Sequence, residues 1–69
     1  MTLREYRARL AWSMSELARR AGLTYQTVSR IEKGELTHFH TVAAIANALA
    51  AALGENVTVD DLKGVHIIS

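Results

Sequence analysis

The stretch "SELARRAGLTYQTVSRIEKG", Ser15 to Gly34, decides the fold. Leu17, Ala18 and Ala21 fall at helical spacing before the connection "AGLT", and Val28 and Ile31 do so after it. Gly22 supplies the left-handed residue that commonly closes a helix. Thr24 offers a hydroxyl to cap the helix that follows, and Leu23 stands where a hydrophobic staple would pack. The connection is too short for two helices to lie side by side, so they should cross at a large angle. Ala18 is small where the two must approach closely.

Each of these signals is weak alone. Together and in register they describe a helix-turn-helix over about residues 14–33. The flanking sequence extends the helical pattern. Thr2 to Glu5 spells a capping box, T-x-x-E, and Leu3, Tyr6 and Leu10 follow as the buried face of a first helix that Trp12 closes against the core. Ser13 to Glu16 repeats the box as S-x-x-E and opens the second helix. Gly34 stops the third. Val42, Ile45, Ala46, Leu49 and Leu53 form one stripe before Gly54, which predicts a fourth helix over His40 to Leu53. Thr58 to Asp61 reads as the cap of a short fifth helix that includes Leu62. The tail 64–69, "GVHIIS", is β-branched and reads as extended. The expected class is all-α, a compact bundle of about five short helices forming one domain over 1–69.

Composition narrows the function. A 69-residue domain buries only about 60% of the surface its unfolded chain exposes, and with no Cys it has neither disulfides nor thiolate metal sites to help it. No apolar run approaches membrane-spanning length, and the charged start lacks a signal-peptide core, so a soluble, cytoplasmic protein is expected. The net charge is only +1, but it is unevenly placed. Residues 1–33 hold seven Arg or Lys against three acids, a net +4; residues 34–69 hold one Lys against four acids, a net −3.

The third helix exposes an unusual set for a merely solvated face. Thr, Ser and Tyr are poorer helix formers than the Glu, Lys or Ala that such a face favours. Gln26 has the geometry to pair bidentately with adenine and Arg30 with guanine, while Tyr25, Thr27 and Ser29 suit base edges, thymine methyls or phosphates.

Ser13 to Gly34 resembles the helix-turn-helix of the phage-repressor/Cro (Xre) family, and "LARRAGL", "TVSRIEKG", "IANAL" and "VTVDDL" fall where that family has similar segments. The resemblance implies a sequence-specific double-stranded DNA-binding transcriptional regulator that acts as a two-fold homodimer and needs no cofactor. Carried over by position, it implies base reading by Tyr25, Gln26, Ser29 and Arg30 and phosphate contact by Thr27 and Lys33. It also implies an ion pair between Arg7 and Glu32. The chain departs from the family where Met14 replaces the usual Gln, leaving Ser13 and Ser15 as polar substitutes. It departs again in the loop "GELTHFHT", where Glu35 replaces a common Lys and Thr37 and His38 remain as backbone-contact candidates. The fourth helix is about one turn longer than usual. Val65, Ile67 and Ile68 are the apolar candidates for a dimer contact.

Competing chemistries fit poorly. His38 and His40 spell H-x-H, yet on a helix they should face different ways, and no Cys or carboxylate cluster completes a metal site. No elbow motif or paired carboxylates assemble a catalytic centre, so no enzyme activity is expected. Arg19 and Arg20 fit either phosphate contact or simple solvation. The alternative from another class is an antitoxin or adaptor that keeps the fold and engages a protein partner through its acidic second half.

Overall fold

The computed structural model describes residues 1–68; Ser69, the end of the 64–69 tail, lies outside the described residues. It contains α1 (Leu3–Leu10), α2 (Met14–Ala21), α3 (Tyr25–Glu32) and α4 (Phe39–Leu53). Two short strands, β1 (Leu36–Thr37) and β2 (His66–Ile67), and a 3₁₀ turn over Val59–Asp61 complete it.

The helix boundaries follow from local chemistry. At α1 both arms of the capping box form: the Thr2 N–H donates to Glu5 Oε1 at 2.7 Å and the Glu5 N–H to Thr2 Oγ1 at 3.1 Å. These bonds to Thr2, the backbone one foremost, hold the Glu5 carboxyl below its ordinary pKa. At α2 only half the box forms. Ser13 accepts from the Glu16 N–H at 3.0 Å, while the Glu16 carboxylate turns to Arg19 and Arg20 instead. Two arginines one turn away attract it more strongly than a single exposed N–H.

Three of the helices end in the same 6→1 and 5→2 pair of backbone bonds. At α2 the Leu23 N–H reaches Ala18 O at 2.8 Å with Gly22 at φ +72°. At α3 the Glu35 N–H reaches Arg30 O at 3.1 Å around Gly34. At α1 the Trp12 N–H reaches Arg7 O at 2.9 Å, but the left-handed residue is Ala11, at φ +55°. A non-glycine residue there carries steric cost.

α4 is the pillar of the core. Val42, Ile45 and Leu49 on it have no exposed surface, and neither do Leu17 of α2 and Val28 of α3. Leu3, Tyr6, Ile31, Val57 and Leu62 close the cluster from the sides.

Three expectations are corrected. The fifth helix is only a 3₁₀ turn, in which the Asp61 carboxylate accepts from the Thr58 N–H at 2.9 Å and the Thr58 hydroxyl at 3.1 Å. Leu62 is already extended, because its side chain is buried and the next residue pairs backward: the Lys63 N–H donates to Met1 O at 3.0 Å. Nor is the fold wholly helical. β1 and β2 pair in parallel, Leu36 opposite His66 and Thr37 opposite Ile67, and the Ile68 N–H donates to Thr37 O at 2.8 Å. Parallel strands need a long crossover, and α4 is that crossover. The fourth helix starts at Phe39, one residue before the expected His40, with His38 as its N-cap.

Candidate nucleic-acid interface

α2 and α3 are joined by Gly22, Leu23 and Thr24 and are held together by Ala18, Val28 and Ile31, all buried. Thr24 Oγ1 accepts from the Thr27 N–H at 3.2 Å and lies 3.0 Å from the Thr27 hydroxyl. Thr27 is thus half-buried and partly engaged at the cap rather than free. With one face of α3 pinned, Tyr25, Gln26 and Arg30 are left exposed, and Ser29 is half-buried beside them. Lys33, the C-terminal cap residue, is exposed as well.

The sole acid of α3 is Glu32, which is withdrawn from that face. Arg7 Nε donates to Glu32 Oε2 at 2.6 Å and Nη2 to Oε1 at 2.9 Å, while Nη1 donates to Trp12 O at 3.1 Å. Both side chains are mostly buried, at 16% and 14% exposure. The hydrogen bond to Glu32 raises the Arg7 pKa further above its ordinary value, so the guanidinium stays charged at any working pH. The pair ties α3 to α1 and cancels the one negative charge within α3, while Glu35, just past its end, stays exposed.

The remaining candidates scatter around this face. Ser15 is exposed in the first turn of α2, whereas Ser13 is occupied as a cap. Met14, in the position where a polar brace was expected, is half-buried and packs against the core. Thr37 is half-buried in β1, and His38 is exposed at the start of α4. The His38 and His40 rings stack, with centroids 5.6 Å apart and planes 12° from parallel. The expectation that they face different ways took both as helical, but His38 is an extended N-cap, and its ring swings alongside its neighbour's. Among the described residues no group of three or more His, Cys, Asp or Glu gathers to hold a metal.

Cation pairing sorts the basic residues. Arg7 is bound to Glu32, Arg9 to Glu55, and Arg19 and Arg20 to Glu16; Arg20 also lies 5.1 Å from the Trp12 ring centroid. Among the described residues, Arg4, Arg30, Lys33 and Lys63 have no acidic partner. The acidic second half is partly consumed in the same way, since Glu55 holds Arg9 and Asp61 holds Thr58. Arg4 and Lys63 entered the sequence reading only through the charge balance, with no site role. They line one cavity of about 410 Å³ together with Met14, Ser29 and Lys33. No sequence signal joins residues that far apart; only the Thr2–Lys63 bridge brings them to one side.

Among the described residues, no helix is long and apolar enough to cross a membrane. Comparison with known families finds one model, described as helix-turn-helix, matching residues 3–58, well over half of the chain. No curated protein and no solved structure is a match.

Proposed function

The chain belongs to the Xre/Cro-type helix-turn-helix family of DNA-binding regulators, and from that premise we propose that it is a transcriptional regulator that reads double-stranded DNA with α3 in the major groove. One observation carries this reading: the exposed face of α3 presents Tyr25, Gln26, Ser29, Arg30 and Lys33 while its only acid is bonded to Arg7. In this reading Gln26 and Arg30 pair with base edges, Tyr25 and Ser29 add contacts beside them, and Thr27 and Lys33 hold phosphates. Ser15, Thr37 and His38 touch the backbone from the flanks.

The active form is a homodimer on two half-sites about one helical turn apart. Val65 and Ile67 are packed against the protein's own core, so the contact falls instead to the apolar residues left outside: Leu36 at 69% exposure, Phe39 at 60% and Ile68 at 45%. The β1–β2 pairing brings Ile68 alongside the Leu36–Phe39 segment.

Selection from a random duplex pool followed by sequencing tests the reading. Enrichment of an inverted repeat supports it; a pool that returns no preferred sequence overturns it. A Phe39→Glu variant weighed in solution tests the dimer contact, and an undiminished dimer would sink that part alone.

A further inference from the structure

Half of the eight cations have an acidic partner within the fold, with Arg19 and Arg20 sharing Glu16, yet among the described residues three of the four that have none converge on one groove. Arg4, Lys33 and Lys63 come from the start of α1, the end of α3 and the segment after the 3₁₀ turn, and all three line the cavity of about 410 Å³ beside α3. The acid among its lining residues, Glu32, is bonded to Arg7. Folding does not explain the arrangement. Like charges gathered in one groove repel, and Arg4 in the first turn of α1 opposes the helix dipole, which favours acids there. Lys63 is held in place by backbone alone, through the Lys63 N–H to Met1 O bond and the bridge to Thr2.

We propose that Arg4 and Lys63, with Lys33, form a track for a second stretch of DNA phosphate backbone, reaching beyond the helix-turn-helix itself. The inference rests on α3 being the groove-facing helix, because Ser29 and Lys33 belong both to that helix and to the lining of this cavity. On this proposal a duplex seated on α3 would carry one of its strands along the groove. A protein with a net charge of +1 gains little attraction to DNA from its overall field. Its affinity must come from local sites where cations are unpaired, and each phosphate so neutralised releases counterions. The track contributes affinity without base preference, since phosphates carry no sequence information directly.

The test is the salt dependence of binding to the selected operator and to a random duplex, for the parent, Arg4→Gln, Lys63→Gln and the double variant. Both residues are exposed, and a thermal melt checks each fold. For each bound protomer a single change should reduce the slope of log K against log salt by about 0.9 and the double by about 1.8, and twice these amounts for a homodimer on its operator. The reduction should be equal on both duplexes, with the selected motif unchanged. Arg9→Gln removes the same formal charge from a residue that is bonded to Glu55 and does not line the cavity, and should leave the slope as it was. A double variant with the parent's slope overturns the track, as does an Arg9→Gln variant that lowers the slope equally. If the parent binds operator and random duplex alike, the sequence-specific reading fails on its own, while the random-duplex slopes still decide the track.

Discussion

α3 and α4 solve opposite problems with opposite means. α3 has eight residues and buries two of them, Val28 and Ile31; α4 has fifteen and buries four, Val42, Ile45, Ala46 and Leu49. The short helix is held at its ends, by the Thr24 cap, the closure around Gly34 and the Arg7–Glu32 pair. The long one carries no acid in its first turn, no base in its last and no side-chain cap bond. It is held by its middle. A helix that must offer one face to a partner has to be fixed without using that face, whereas a helix that supports the core can be fixed by burial alone.

The contrast breaks most visibly in α4. Ile45→Ala, at a position with no exposed surface, should cost about 2–5 kcal/mol, comparable to the whole stability of so small a domain. Urea unfolding followed by circular dichroism should show most of the helical signal lost, and DNA binding should go with it. Removing the tie on α3 is the next largest change. Glu32→Gln leaves the mostly buried Arg7 guanidinium without its counter-charge and should cost about 2–3 kcal/mol, read as a lower denaturation midpoint at unchanged slope. A loss below about 0.5 kcal/mol would place the pair with ordinary surface ion pairs.

The exposed face of α3 should behave the other way round. Arg30→Ala should leave stability within about 0.5 kcal/mol while discrimination at one base pair falls by about 1–3 kcal/mol. Competition between operator variants measures it; an equal loss on every sequence would make Arg30 a phosphate contact instead. The smallest effect is a gain. Ala11→Gly relieves a left-handed alanine at φ +55° and, after the flexibility glycine adds to the unfolded chain, should raise stability by about 0.5–1 kcal/mol.

Much of this was legible because it is local. The Thr2 box, the Gly22 and Gly34 ends, the Thr24 cap and the α4 stripe each rest on residues within one or two turns of one another. The illegible features arise from competition or distance. Glu16 had the spacing of a second capping box, but Arg19 and Arg20 captured its carboxylate. Two-residue strands are too short to show alternation, so β1 went unread and the tail was recognised only as extended. Ala11 gave no warning, since alanine is the best of helix formers, and its left-handed turn accompanies the closing bond from the Trp12 N–H to Arg7 O.

The amino-acid sequence by itself determined where the first three helices start, where the second and third stop, most of the residues they bury, and that the third carries an outward polar face with a single acid. These follow from spacings of three and four residues, which any α-helix converts into a shared face. Tertiary structure alone decided that the tail pairs with the loop after α3, that Val65 and Ile67 serve the core while Ile68 stays outside, and which four cations keep an acidic partner. Such outcomes depend on which side chains meet across the fold, and that is set only when α4 carries the chain back past α1 and β1. The groove of Arg4, Lys33 and Lys63 exists for the same reason: three residues with no local relation, brought to one side by backbone pairing at both ends of the chain.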